Sequence, residues 1–297
     1  MRVGESDRMM RLILAEVRKL HRPLTWGVAF AVAVFCVLLA AGGASNSQAQ
    51  RDQSGVFDAR TQASAQHVAV QLSPVGSLAE AAGLLASMPG AIALALLAGG
   101  HVGGEWSGRT IKHLLTQQGN RNRVIAAKMI SLWVAAVGLL AVCWLALAVC
   151  GPLISHANGL PANTMSIADA ARWSGSQAAR ATLVFAFFAA IGLLAAIVTR
   201  NTIGAIGTSV ASVVVMLVVA GMPRVGGSTP ATWVQGWMGF PAGQRSISDL
   251  PSNFWSRFID ASGSAPGQAS GGLDLLLLVA GCLAVSAWVF RHIDVVG

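Results

Sequence analysis

Residues 124–151 have the sequence VIAAKMISLWVAAVGLLAVCWLALAVCG, in which Lys128 is the one charged residue. A helix needs about 20 mostly apolar residues to cross the hydrocarbon core of a bilayer. Because this stretch is longer than that and so poor in polar side chains, it predicts a membrane-spanning helix.

Five further stretches meet the same criterion, so the sequence predicts an all-α integral membrane protein with a single transmembrane domain, residues 1–297. The six predicted spans are residues 24–43, 79–102, 124–151, 178–199, 201–222 and 271–290. Pro89 lies inside the second span, where the loss of a backbone hydrogen bond predicts a kink. Little more than Arg200 and Asn201 separates the fourth and fifth spans, which predicts a tight helical hairpin.

The overall composition supports this class. Only 11% of residues are charged, 54% are hydrophobic and the mean hydropathy is +0.62, whereas about 25% of residues are charged in soluble domains. Disorder, a disulfide scaffold and nearly every soluble enzyme are thereby excluded. The net charge of +8 does not indicate a nucleic-acid partner, since such proteins need a dense exposed basic face.

The basic residues are unevenly distributed along the predicted topology. With the N-terminus inside, the inner segments (1–23, 103–128, 200 and 291–297) hold 13 of the 20 Lys and Arg residues and five of the 12 acidic residues. The positive-inside rule then places both termini in the cytoplasm. The abundance of Arg, Ala, Gly and Val suggests a bacterium, and we expect the cytoplasmic (inner) membrane. Cleavage of the first span as a signal peptide near residues 41–44 is the less favoured alternative.

The N-terminal segment, residues 1–23, has the pattern of an amphipathic helix. Met10, Ile13, Val17 and Leu20 recur at helical spacing, and the opposite face carries basic residues, namely Arg8, Arg11, Arg18 and Arg22. Such a helix is expected to lie in the membrane interface. It serves either as a plain anchor or as a contact for a partner protein.

The loop that follows the second span, residues 103–123, is the most informative one. Its pattern predicts a short helix over residues 107–118, capped by Ser107 and ended by Gly119. One face carries Ile111, Leu114 and Leu115, with charged residues around it. This arrangement is suited to docking in a groove of another protein. The alternative is a basic loop that only fixes topology.

The two long outer loops differ in character. Residues 44–78 are polar and show no recognisable chemistry. Residues 223–270, between the fifth and sixth spans, predict a re-entrant-like hairpin of two short helices with aromatic faces. This hairpin forms either an outer gate or an interfacial anchor. The aromatic residues are Trp233, Trp237, Phe240, Phe254, Trp255 and Phe258.

Several kinds of chemistry have no signature in this chain. The sequence contains no P-loop motif, no histidine pair with metal-ligand spacing and no paired carboxylates. We therefore expect neither an enzyme nor a metal or cofactor bound by this chain. Charged residues near the spans, such as Glu80, Arg180 and Asp274, fall at span ends, which argues against ion or proton coupling.

Together these features resemble the type-2 permease subunits of ATP-binding-cassette (ABC) exporters. The resemblance in topology covers the whole chain, and the loop after the second span carries the specific match. The matching residues are Glu105, Gly108, Thr110, Ile111, Leu114, Leu115, Arg121, Arg123 and Lys128. Two departures are Arg109, which separates Gly108 from Thr110, and Gly119-Asn120 in place of the usual proline.

The resemblance implies that residues 107–118 are a coupling helix that docks on a separate P-loop ATPase subunit, which binds ATP and magnesium. It also implies a second permease chain, identical or not, and an N-terminal helix that braces the ATPase. The apolar spans favour a hydrophobic or amphipathic substrate, such as a drug, lipid or peptide antibiotic. A non-transporting assembly or sensory subunit is the second hypothesis, and a secondary transporter is the third.

Overall fold

A computed structural model describes residues 3–20, 23–54, 59–108, 110–111, 121–163, 165–220, 229–238 and 268–292. The helices in these ranges are α1 (Val3–Lys19), α2 (Pro23–Ser54), α3 (Ala59–Gln71), α4 (Ser77–Ala86), α5 (Met88–Ser107), α6 (Arg121–Ala157), α7 (Ile167–Thr199), α8 (Thr202–Ala220), α9 (Pro230–Met238) and α10 (Gln268–His292). No strand occurs among the residues that the structure describes.

Each of the six predicted spans falls on one of these helices or on a helical pair. Four helices, α2, α6, α7 and α10, are long and apolar enough to cross a membrane. The pair α4 and α5, bent by 67°, makes a fifth crossing if it counts as one span, while the apolar part of α8 is shorter. Within the described residues, length and composition thus support an integral membrane protein with four or five candidate spans, and the predicted number of six is not confirmed.

The predicted kink at Pro89 is a break between two helices. Ser87 has an extended backbone (φ −83°, ψ 176°), and α5 begins anew with Pro89 in its first turn, where a missing N–H costs nothing. A Cβ on Gly90 would lie 2.2 Å from Cα of Leu85. Glycine at this position therefore lets the two helices meet at a sharp angle.

Most of residues 44–78, which we predicted to form an outer loop, is helical. Helix α2 continues to Ser54, and α3 then occupies Ala59–Gln71. Alanine and glutamine favour helix and serine tolerates it, so the helix continues beyond the end of the apolar run. The turn after α3 packs on α6, because Trp144 Nε1 donates a hydrogen bond to the Pro74 carbonyl, 3.1 Å away.

Helix α7 lies at the centre and packs against α4, α5, α8 and α10. Its buried residues include Phe185, Phe187 and Leu193. The hairpin predicted between the fourth and fifth spans is present, and Arg200 turns the chain in a left-handed conformation (φ 53°). Helices α5 and α7 end where α6 and α8 begin, and α1 lies there too. We call this end of the bundle the α1 end.

Candidate functional site

Four charged side chains from three helices meet at the α1 end. They are Glu16 and Lys19 of α1, Glu105 of α5 and Lys128 of α6, and we call them the ion cluster. Lys19 Nζ lies 2.8 Å from Glu16 Oε1 and 2.7 Å from Glu105 Oε1. Lys128 Nζ lies 3.4 Å from Glu16 Oε2 and forms an ion pair with Glu105 Oε2. The two acids and two bases thus balance each other.

Most of the ion cluster is out of contact with solvent. The exposed fraction is 1% for Glu16, 2% for Lys128 and 7% for Glu105. Taking such charges out of water costs several kcal/mol for each ion unless partners compensate. Here each carboxylate has two lysine partners. Separating α1, α5 or α6 from the other two helices would leave a buried charge without a partner, which is energetically costly.

Helical spacing explains how short sequence segments supply these groups. Glu16 and Lys19 are three residues apart on α1, and His101 and Glu105 are four apart on α5, so each pair shares a helix face. His101 Nε2 lies 3.6 Å from Glu16 Oε2 and extends the cluster along α5. Lys128 stands two turns into α6.

The electrostatics favour the ionised state of Glu16 and Lys19. Burial would raise the pKa of Glu16, but contact with His101 and the positive charges of Lys128 and Lys19 outweigh it and lower the pKa to about 2. Burial would likewise lower the pKa of Lys19, yet its bonds to Glu105 and Glu16 raise it. Both groups therefore stay charged at neutral pH.

The loop predicted to dock a partner begins directly at this cluster. Thr110 Oγ1 donates a hydrogen bond to the Glu105 carbonyl, 3.3 Å away. Ile111 is 2% exposed and packs in an apolar cluster with Val124 and Ile125 of α6. The first turn of the loop is therefore held on the same helices that carry the charges.

Other predicted features of the loop fare differently. Ser107, expected to cap the docking helix, instead ends α5, and Gly108 follows as its C-cap. Arg121 turns away from the cluster, and its guanidinium donates to the carbonyls of Phe290 and Arg291 at the end of α10. Arg123 lies in the first turn of α6. Three predicted docking residues lie outside the described residues, namely Arg109, Leu114 and Leu115.

Helix α1 is present, and the side that packs on the bundle is a different one from the predicted membrane-facing side. Leu12 and Glu16 are its most buried residues, whereas Met10 is 59% exposed. Arg11 and Arg18 are exposed as expected, and Arg22 and the side chain of Arg8 lie outside the described part. The sequence analysis missed Glu16, Lys19 and His101. The available signal for Glu16 in the sequence was its position four residues after Leu12, on the same face of the helix.

At the opposite end of the bundle, α9 is one of the two predicted aromatic helices. Trp237 Nε1 donates to the Arg180 carbonyl at 2.8 Å, and the Arg180 guanidinium donates to the Met238 carbonyl at 3.5 Å. Trp237 and Trp233 are half-buried against the core. The remaining predicted gate residues lie outside the described ranges, namely Phe240, Phe254, Trp255 and Phe258.

No group of His, Cys, Asp or Glu among the described residues is arranged to hold a metal ion. In comparisons with known proteins, a family model described as "ABC-2 family transporter protein" matches residues 10–237, which is more than half of the chain. The matched range includes the ion cluster, the loop and α9. No curated protein matches the chain.

Proposed function

The chain belongs to the ABC-2 family of transporter proteins, and from that premise we propose that it is the transmembrane permease subunit of an ATP-driven exporter. A permease of an ABC transporter works with an ATPase in a membrane. The proposal adds that residues 103–123 dock on a separate P-loop ATPase, which supplies ATP and Mg²⁺. It also adds that two permease chains face each other in the bacterial inner membrane, with both termini in the cytoplasm.

The ion cluster is the observation that carries this proposal. Glu105 lies four residues before Arg109, where the docking loop continues, and it bonds to Lys19 and Lys128 on two other helices. A push on the loop from a closing ATPase dimer would therefore reach α1, α5 and α6 together. In this mechanism α1 braces the loop through Lys19, and the chain itself performs no hydrolysis.

The lining of a cavity in the bundle is consistent with an apolar or amphipathic substrate. A cavity of about 460 Å³ opens between α2 and the break between α4 and α5. Its lining is almost wholly apolar and includes Val32, Phe35, Leu84, Pro89 and Leu96. Drug-sized ligands occupy pockets of roughly 300–1,000 Å³ with linings of this kind. A small hydrated ion would find few polar partners there.

Co-purification from membranes tests the docking proposal. We expect a P-loop ATPase to be isolated with the wild-type chain and to be lost when Leu114 and Leu115 are both changed to Asp. A matched control changes Gln117 and Gln118 to Asp, which adds the same charge to polar positions of the loop and should leave the ATPase bound. Retention of the ATPase by the Leu114→Asp/Leu115→Asp chain would refute docking through this helix.

Transport separates an exporter from a non-transporting assembly subunit. In vesicles that contain the permease and its ATPase, an exporter moves a hydrophobic fluorescent dye only when ATP is supplied. Glu105→Gln should abolish that movement while the ATPase stays bound. ATP hydrolysis that never moves any apolar probe, with assembly intact, would favour the assembly or sensory role instead.

A further inference from the structure

The last turns of α5 contact different partners on opposite sides. Successive helical residues are rotated by about 100°, so residues two apart point in nearly opposite directions. His101 and Glu105 face α1 and α6, as described above. Gly99, Gly103 and Ser107, each offset by two residues from that pair, face α8.

The contact between α5 and α8 is close enough to involve the backbones. A Cβ on Gly103 would lie 2.9 Å from both Cα of Thr202 and Cβ of Ala205, and one on Gly99 would lie 3.0 Å from the Ala205 carbonyl carbon. Even a methyl group would force the helices apart at these positions. Gly104, rotated by about 100° around α5 from Gly103, has no atom within 4 Å of its ideal Cβ position.

Ser107 adds a polar bond at the point where the docking loop begins. Its Oγ accepts a hydrogen bond from the Thr202 backbone N–H at 3.0 Å and lies 2.9 Å from Thr202 Oγ1. That N–H belongs to the first turn of α8, where it has no partner within the helix. Ser107 thus ties the end of α5 to the start of α8 directly.

We propose that Ser107 and Gly103 are positioning residues that fix α8 to α5, so that the two helices move as one unit when the docking loop is displaced. This inference rests on the proposed function, because an ATPase must supply the displacement. The same turns of α5 then receive the push through Glu105 and deliver it through Ser107 and Gly103 to α8. Helix α8 carries it to the far end of the bundle, where it contacts α9.

The distance between spin labels on Ile167→Cys and Val218→Cys tests this inference. Both side chains are exposed, Ile167 by 78% and Val218 by 44%, and they lie towards the far ends of α7 and α8. Helix α7 carries no residue of the ion cluster, so it serves as the reference for movement of α8. The four native cysteines are first changed to alanine, and labelled chains are diluted with unlabelled ones. The complex with the ATPase is measured with and without ATP, Mg²⁺ and vanadate.

Trapping the ATPase with ATP, Mg²⁺ and vanadate should shift the distance between the two spin labels. We expect this shift in the labelled chain without further substitutions and in the control Gly104→Ala. Gly103→Ala and Ser107→Ala should lose at least about half of the shift while the ATPase remains bound and active. Ser107→Thr, which keeps the hydroxyl, should retain the shift.

Ser107→Ala removes one exposed hydroxyl and so tests the bond without crowding the helices. Ser212→Ala removes a hydroxyl that bonds only within α8 and serves as its control.

The outcomes are distinguishable. If the label distance shifts as fully in Gly103→Ala and Ser107→Ala as in Gly104→Ala, these residues do not position α8 and the inference is overturned. If trapping shifts nothing although the ATPase is bound and active, α8 does not move when the ATPase closes and the inference is overturned as well. If no ATPase binds the unmodified chain, the proposed function fails first and the inference falls with it.

Discussion

Glu105 links three helices, α1, α5 and α6, with the start of the loop that follows α5. Its carboxylate bonds to Lys19 and Lys128, its carbonyl accepts from Thr110, and it stands in the last turn of a helix that also contacts α8. The sequence pattern identified Glu105 and Lys128 as loop residues. It could not show their pairing with Glu16, because helical spacing relates only residues within one helix and Glu16 lies 112 residues from Lys128.

Removal of the Glu105 charge should destabilise the protein. Glu105→Gln leaves the buried Lys128 with Glu16 as its remaining acidic partner, and breaking a buried ion pair in this way costs about 3 kcal/mol. Thermal unfolding in detergent measures the loss. The control Asp169→Asn changes an exposed acid in the first turn of α7 and should cost less than about 1 kcal/mol. Equal losses would show that the ion cluster does not stabilise the fold.

The low pKa of Glu16 predicts how stability depends on pH. A carboxyl whose pKa is lower in the folded than in the unfolded chain stabilises the fold above its unfolded value. That contribution is lost as pH falls from about 4.5 towards the folded pKa of about 2. The difference corresponds to about 3 kcal/mol.

The measurement compares wild type with Glu16→Gln over pH. The gap in unfolding free energy should stay level from about pH 5 to pH 10, because the raised pKa of Lys19 keeps its partner charged. It should shrink as pH falls below about 4.5. A gap that is constant down to pH 2 would mean that Glu16 has an ordinary pKa in the folded protein.

Among the elements, the apolar helices and the amphipathic α1 were predictable, whereas the polar helical stretch over residues 44–78 was not. Long runs such as residues 124–151 exceed any plausible loop and determined α6 directly. The stretch over residues 44–78 lacks such a run, and contacts with distant segments help to hold it, for example the bond from Trp144 to the Pro74 carbonyl in the turn after α3. Helix α9 was predicted from Trp233 and Trp237, yet its attachment to Arg180 depends on two backbone carbonyls that no pattern shows.

Helix α9 also gives a matched test of packing on α10. A Cβ on Gly272 would lie 2.3 Å from Trp237 Cε3, whereas Gly281 on the same helix has open space. Gly272→Ala should therefore displace the Trp237 ring and cost about 1–3 kcal/mol. Gly281→Ala should be neutral or slightly stabilising. Thermal unfolding and tryptophan fluorescence report both effects, and similar behaviour of the two variants would place α9 elsewhere.

At the scale of the whole molecule, the two ends of the bundle have different chemistry. The α1 end holds the ion cluster and the start of the loop that we propose docks on the ATPase, and the opposite end holds the aromatic helix α9. The sides are apolar, with exposed residues such as Phe30, Ile203 and Trp288 that a bilayer would cover. The net charge of +8 fits this arrangement, because the predicted topology places the basic surplus on the side where an ATPase would dock.

Hydrogen–deuterium exchange of the chain, isolated with and without its ATPase, shows whether the α1 end receives the ATPase. If residues 103–123 dock on the ATPase and α1 braces them, backbone amides in residues 103–123 and in α1 should exchange more slowly in the complex. Amides of α9, at the opposite end, should exchange equally in both samples. Unchanged exchange over residues 103–123, or protection confined to α9, would contradict the assignment of the α1 end as the face that receives the ATPase.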